Sequence, residues 1–136
     1  MPAARAARTL VATARVMDVI GRAGVRLDAV VGSGRDAGER FVRYEPEPDL
    51  VVTTAGAEGG TWAGAEGTSG AWAAASVPGP IRDAYGCGDS FAAGLTFGLA
   101  DGRGVEAALE LAARCGAECL AGHGPYERQL TLAPRM

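Results

Sequence analysis

The residues whose types and spacing could do chemistry are concentrated in one glycine-rich stretch, residues 83–94, which contains Gly86-Cys87-Gly88-Asp89. Two glycines permit a tight turn, and the apolar periodicity that follows predicts a helix over residues 89–100. The first amides of a helix lack internal partners and lie at the positive end of its dipole, so such a turn can bind phosphate. Asp89 would not help to hold phosphate, but it could act as a base on a hydroxyl group beside it. The alternative is that Asp89 is an ordinary helix N-cap, and the local residues favour neither interpretation.

A second glycine-rich segment follows an apolar strand that is predicted over residues 50–54. Thr54, Gly56 and Gly59 have the spacing Thr-x-Gly-x-x-Gly, and Ala57 and Glu58 lie between the two glycines. Glycines are common in turns at strand ends, so this spacing alone is a weak signal of nucleotide binding.

Three other chemical patterns are disfavoured by the sequence. Residues 32–38 have a glycine spacing found in some dinucleotide-binding enzymes, but a polar, proline-broken loop over residues 36–49 replaces the helix that they need. A serine hydrolase would need His123 as its base, but no Gly-x-Ser-x-Gly motif is present. Three cysteines and one histidine cannot fill a four-ligand zinc site without carboxylates. We therefore interpret the cysteines as small buried thiols in a reducing compartment, namely Cys87, Cys115 and Cys119.

Composition limits the class of protein further. The chain has 136 residues, a net charge of −3 and 48% apolar residues, which suits one domain. Its 28 alanines and 21 glycines outnumber the 26 leucine, isoleucine, valine and phenylalanine residues, so the core must be closely packed or incomplete. The net negative charge does not favour binding to nucleic acid, which needs a positively charged surface. The sequence also contains no uninterrupted apolar run of about 18 residues, the length needed to span a membrane. We therefore expect a cytoplasmic protein with neither a nucleic-acid nor a membrane partner.

The elements that must position the glycine-rich segments alternate between strands and helices. The predicted elements are a strand over residues 9–12, a helix from Thr13 that ends at Gly24, strands over 27–31 and 50–54, weaker β segments around Trp62 and over 71–77, helices over 89–100 and 105–120, and one short strand near Leu130. The first strand, helix and strand form a βαβ unit, which implies a parallel sheet. The predicted fold class is α/β, a parallel sheet flanked by helices.

The stretch over residues 83–94 resembles the second signature of the ribokinase-like (PfkB-type) carbohydrate kinases, in which a glycine-rich turn ending in Asp opens a long helix. The residues that match this signature are Gly86, Cys87, Gly88, Asp89, Ser90, Phe91 and Gly94. The resemblance implies that the first three supply the amides of an anion hole and that Asp89 is the catalytic base.

The same resemblance implies residues that bind the nucleotide. Residues 54–59 are similar to the family's nucleotide loop, which implies ATP contacts by Thr54, Gly56, Ala57, Glu58 and Gly59. The second helix is similar to the family's wall on the adenine side, which implies contacts at Gly116 and Gly124.

Two acidic residues are implied as cation ligands by this resemblance. Asp83 matches a residue that in the family helps to hold a monovalent cation such as K⁺. Asp36, in the segment Ser33-Gly34-Arg35-Asp36, stands where the family has an Asn-x-x-Glu motif that organises Mg²⁺. Because Asp is shorter than Glu by one methylene, this segment departs from the family pattern.

The function implied by the resemblance is transfer of the ATP γ-phosphoryl group, with Mg²⁺, to a hydroxyl of a sugar, a nucleoside or a similar small molecule. The alternative is a non-catalytic remnant or a split-kinase half, an interaction or nucleotide-binding module whose partner is a separate N-terminal half. Residues 1–136 are expected to form a partial domain, the C-terminal nucleotide-binding portion, because the family's substrate and lid portion has no counterpart here. We expect the isolated chain to be marginally folded and to show no sugar-dependent ATP consumption.

Overall fold

The computed structural model describes residues 2–131 of the chain. They form two compact units, a sheet unit that ends at Ala73 and a helix unit that begins at Ala74. In the described part of the chain, no helix is long and apolar enough to cross a membrane.

The sheet unit contains one five-stranded sheet in which the strands lie side by side in chain order. The strands are β1 (Val11–Thr13), β2 (Ala29–Ser33), β3 (Leu50–Thr54), β4 (Gly60–Gly64) and β5 (Ser69–Trp72). The first three strands are parallel to one another, whereas β4 and β5 continue the sheet as antiparallel hairpins. The α/β class of the fold is therefore confirmed, and its parallel part is the one that the βαβ pattern predicts.

The βαβ unit places a short helix, α1 (Met17–Ala23), between β1 and β2. This helix ends at Gly24, as predicted, while both strands begin two residues later than expected. The shift of β1 has a local cause, because the amide of Leu10 donates to the Asp28 carboxylate at 2.7 Å instead of to a neighbouring strand. The strand ladder therefore begins at Val11.

The core of the sheet unit lies around α1 and β2. One cluster of buried residues there consists of Ala14, Ile20, Leu27 and Val30. The loop predicted over residues 36–49 is confirmed; it begins at residue 34 and contains one 3₁₀ turn, Ala37–Glu39. Two aromatic residues of this loop, Phe41 and Tyr44, pack against the core with their rings 6.3 Å apart. The loop thus covers the core in place of a second crossover helix.

The hairpin of β4 and β5 ends earlier than the sequence predicts. The prediction placed a β segment over residues 71–77, but β5 ends at Trp72. Trp72 pairs with Gly60, which is the first residue of β4, so residues 73–77 have no strand beside them. Gly59 turns the chain there with φ +81°, and a Cβ at Gly59 would lie 2.0 Å from the Trp72 carbonyl oxygen. Only glycine fits this turn.

The helix unit consists mainly of two packed helices, α2 (Cys87–Ala100) and α3 (Val105–Leu120). The bounds of α3 are those predicted, whereas α2 begins two residues before the predicted start. The helices approach closely through small residues, since a Cβ at Gly98 would lie 2.9 Å from the Ala108 Cα atom. The short strand expected near Leu130 is absent from the described residues, and the neighbouring Gln129 side chain donates to the Ser90 hydroxyl of α2.

Candidate functional site

The start of α2 is a tight turn that only glycine can form. Gly86 is the N-cap of the helix with φ +87°, which residues with a side chain rarely adopt. A Cβ at Gly86 would also lie 2.4 Å from the Cβ atom of Pro125. Gly88, in contrast, has no neighbour within 4 Å of its Cβ position, so the structure is open on that side. A side chain at residue 86 would therefore clash with Pro125, whereas a side chain at residue 88 would have space.

Several amides at this turn have no oxygen acceptor in the described residues, although the Gly88 amide also bonds to the Cys87 sulfur atom. The amides of Gly86, Gly88 and Asp89 donate to no carbonyl or carboxylate oxygen within residues 2–131. The Cys87 amide, which the sequence assigned to the anion hole, donates to the Ala84 carbonyl at 3.3 Å. The Asp89 amide is an additional donor that the sequence analysis missed. The signal for it was present in the sequence, because a helix that starts at residue 87 or at residue 89 leaves this amide in its unpaired first turn.

Asp89 lies at the third position of α2, and its side chain is exposed. Gly86 occupies the N-cap position, so the alternative interpretation of Asp89 as the N-cap is wrong. Within the described part of the chain, the Asp89 carboxylate has no hydrogen-bond or ion-pair partner. The helix start thus presents unpaired amides next to an unpaired carboxylate.

Asp83 connects the loop before α2 to the chain that follows α3. One carboxylate oxygen accepts the Tyr85 amide at 2.9 Å, and the other accepts the Gly124 amide at 2.9 Å. These two amides hold the pKa of the Asp83 carboxyl below its usual range. Asp83 and Gly124, assigned to a cation and to ATP respectively, are therefore neighbours in the structure.

Cys87 and Gly116 are also brought together within the helix unit. A Cβ at Gly116 would lie 3.3 Å from the Cys87 carbonyl oxygen, so α3 passes directly beside the start of α2. Burial raises the pKa of the Cys87 thiol, and the nearby Cys119 acts in the same direction. Cys87 is therefore a neutral thiol at neutral pH, as befits a small side chain that fills space.

The second candidate segment, residues 54–59, lies in the sheet unit directly after β3. The Thr54 hydroxyl donates to the Gly32 carbonyl at 3.2 Å and so ties β3 to β2. Residues Gly56–Glu58 form a 3₁₀ turn, and the Ala55 amide closes the loop on the Gly59 carbonyl at 2.7 Å. In the described residues, the amides of Gly56 and Ala57 are the two in this turn without an acceptor.

Arg35 lies against this turn, although the sequence analysis gave it no role. Its guanidinium Nη2 atom is 3.4 Å from Glu58 Oε1, and its Nη1 atom is 3.2 Å from the Cβ position of Gly56. A signal was present in the sequence, because Arg35 follows β2 directly and parallel strands end at the same edge of a sheet. The segment Ser33–Asp36 thus reaches residues 54–59 through Arg35.

Asp36 has other partners. Its carboxylate accepts the Gly38 amide at 2.8 Å and pairs with Arg15 at 3.4 Å. No group of three or more His, Cys, Asp or Glu residues within residues 2–131 is arranged to hold a metal ion. A cation at Asp36 would compete with Arg15, and one at Asp83 would compete with two amides. The assignment of Asp36 and Asp83 as cation ligands stays a prediction.

Comparison with known proteins decides the family. The model of the pfkB family of carbohydrate kinases matches residues 27–131, which is more than half of the chain. The chain belongs to the pfkB family. The matched range includes both candidate segments, residues 54–59 and 86–89.

Solved structures of pfkB-type proteins share the fold. A nucleoside kinase of Burkholderia thailandensis, solved with inosine, is 25% identical with a TM-score of 0.64, and the match covers 77% of this chain and 36% of that one. A protein described as ribokinase II of E. coli, solved with ATP and Mg²⁺, is 20% identical with a TM-score of 0.67, covering 83% and 39%. A PfkB protein of Polaromonas sp. JS666 is 31% identical with a TM-score of 0.57, covering 78% and 36%.

The share of each solved chain that the match covers shows how much of those proteins this chain spans. It spans between a third and two fifths of the length of these solved structures. No curated protein sequence matches it significantly.

Proposed function

We propose that residues 1–136 form the nucleotide-binding part of a pfkB-type carbohydrate kinase domain, which transfers the γ-phosphoryl group of ATP to a hydroxyl of a sugar or nucleoside. One observation carries this proposal. The amides of Gly86, Gly88 and Asp89 have no oxygen acceptor in the described residues, and the exposed Asp89 carboxylate beside them has no partner. Donors for a phosphate and a base for a hydroxyl thus occur together at the start of α2.

Asp89 acts as the base in this proposal. It accepts the proton of the acceptor hydroxyl while that oxygen forms a bond to the γ-phosphorus atom. The bond from the γ-phosphorus to the bridging oxygen breaks, and ADP leaves. Phosphoryl transfer depends mainly on positioning and on charge stabilisation, which the free amides and the dipole of α2 supply.

The sheet unit contributes the nucleotide loop. The free amides of Gly56 and Ala57 face no acceptor in the described residues and would bind phosphate oxygens, close to Thr54 and Gly59. In the helix unit, Gly116 and Gly124 would line the adenine. Mg²⁺ would bind mainly to the ATP phosphates, because substrate phosphate oxygens and one or two protein ligands usually complete its coordination together with water. We assign no step of the reaction to Asp36 or Asp83, whose carboxylates already have partners within the chain.

The acceptor class rests on the family and on its solved members. The pfkB family is one of carbohydrate kinases, and the nucleoside kinase described above was solved with inosine. A sugar, free or within a nucleoside, is therefore the proposed acceptor. Its binding residues would lie in the part of pfkB proteins that this chain does not span.

Nucleotide binding to the chain tests the proposal. Calorimetry should detect ATP and ADP, and Gly88→Val should weaken both by about tenfold or more, because a side chain would occupy the open side of the turn. Gly104→Val is the matched control, since Gly104 also lies at a helix start with open space at its Cβ position. No nucleotide binding by the unmodified chain, or equal losses in both variants, would contradict the proposal.

A further inference from the structure

We propose that Arg35 binds the phosphates of the nucleotide and that Glu58 occupies its guanidinium until the nucleotide arrives. This inference rests on the proposed function, because it takes residues 54–59 to be the nucleotide loop. It assigns Arg35 as a residue that determines affinity and Glu58 as a competitor for the same guanidinium.

The position of Arg35 is fixed by its own backbone. The Arg35 amide donates to the Ser33 hydroxyl at 3.2 Å, and the amide of the preceding Gly34 donates to the Thr54 carbonyl at 2.9 Å. These bonds anchor the loop after β2 to the end of β3. The side chain of Arg35 therefore extends over the turn from an ordered starting point.

The guanidinium lies where a phosphate at this turn would need a positive charge. Its Nη1 atom is 3.2 Å from the Cβ position of Gly56, and the free amides of Gly56 and Ala57 belong to the same turn. Arginine offers a planar set of donors that matches phosphate oxygens in pairs. The turn thus contains two amides without an acceptor in the described residues and is contacted by one guanidinium.

Glu58 neutralises Arg35 in the structure without nucleotide. The ion pair measures 3.4 Å, and both side chains are largely exposed, 59% for Arg35 and 78% for Glu58. Exposed ion pairs of this kind contribute little to stability, so a ligand with greater negative charge can displace the carboxylate easily. The nucleotide must first displace this carboxylate, so Glu58 opposes nucleotide binding as long as Arg35 is present.

A purely structural ion pair predicts something different. If Arg35 and Glu58 only held the turn in shape, the loss of either charge would loosen the nucleotide loop and weaken binding. If Arg35 exchanges Glu58 for phosphate, the two charge removals act in opposite directions. The sign of the Glu58 effect therefore separates the two interpretations.

The experiment measures ADP affinity of the whole chain by calorimetry. Arg35→Gln should weaken binding about tenfold or more, and Glu58→Gln should strengthen it about two- to fivefold. In the double variant, the gain from Glu58→Gln should disappear, because no guanidinium remains to be released. The matched controls are Arg43→Gln and Glu47→Gln, which remove the charges of another exposed ion pair in the sheet unit and should change affinity less than twofold.

The outcomes are distinct. Weaker binding by both single variants, or a gain from Glu58→Gln that persists without Arg35, would overturn the inference while the proposed function stands. No ADP binding by the unmodified chain would overturn both. A thermal melt of each variant shows whether a lost affinity reflects a lost fold.

Discussion

Asp89 is a carboxylate that the fold does not use. Since it is exposed and has no partner in the described residues, its removal should leave the structure intact. Asp89→Asn should lower the rate of phosphoryl transfer about 100-fold or more, as expected for a lost general base. ADP affinity should change little, because a carboxylate beside phosphate does not help to bind it.

The measurement is acceptor-dependent ADP release, with the acceptor-binding part supplied by the Polaromonas PfkB protein, which is 31% identical. Asp101→Asn, at the other end of α2, is the control and should retain full activity. Normal turnover by Asp89→Asn would show that Asp89 is not the base.

The turn residues before Asp89 differ in what they contribute. Cys87→Ala should be tolerated in nucleotide binding, because the thiol is neutral and partly buried and alanine is a smaller apolar replacement. Gly86→Ala should lower the free energy of unfolding by about 1–3 kcal/mol, since its Cβ would overlap Pro125 and its φ is +87°. Urea unfolding checks the second effect, and equal stability of both variants would contradict the geometry.

Asp83 predicts a dependence of stability on pH. Its pKa is lowered in the folded state by the amides of Tyr85 and Gly124, so its charge stabilises the fold above the usual carboxyl pKa, and this contribution is lost as the pH falls through the lowered value. Asp83→Asn should therefore be less stable than the unmodified chain near about pH 7, and the difference should shrink towards about pH 3. Urea unfolding curves of both proteins across this pH range measure the difference in stability. A difference that does not change with pH would show that the Asp83 charge does not stabilise the fold.

At the scale of elements, the close contact between α2 and α3 depends on glycine residues. A Cβ at Gly98 would lie 2.9 Å from both the Cα and Cβ atoms of Ala108, whereas Gly88 on the same helix has open space. Gly98→Ala should destabilise the chain by about 1–3 kcal/mol despite its better helix propensity. Gly88→Ala should be neutral or stabilising by up to about 1 kcal/mol. Urea titrations compare the two variants, and the same sign for both would contradict the observed packing.

The elements also show what the sequence could predict. Local patterns were sufficient for β3 and α3, whose apolar residues have clear periods, and their predicted bounds agree with the structure. The start of α2 was placed two residues late, because Gly86 and its contact with Pro125 fix it, and that contact joins distant parts of the chain. The contact of Arg35 with the turn at Gly56 was also missed, although the predicted parallel sheet places the ends of β2 and β3 at the same edge.

At the scale of the whole molecule, we expect low stability. β1 and β5 are the edge strands of the sheet, and large apolar side chains such as Ile81 and Phe97 are 66% and 50% exposed. The chain should melt below about 50 °C and aggregate with rising concentration, and ADP should raise its melting temperature by mass action. Calorimetry and light scattering test this. A cooperative melt above about 50 °C, together with sugar-stimulated ADP release by the chain alone, would contradict it.

The bond between Asp83 and Gly124 has a consequence for how the protein is made. These residues are 41 positions apart, and Pro125, which rests on Gly86, follows directly. During synthesis the ribosome releases the glycine turn and Asp89 first, while the segment that supports them is still within the exit tunnel. The start of α2 cannot be completed until α3 and residue 125 have emerged. A nascent chain should therefore complete the turn at Gly86 in one late step, after both helices are present.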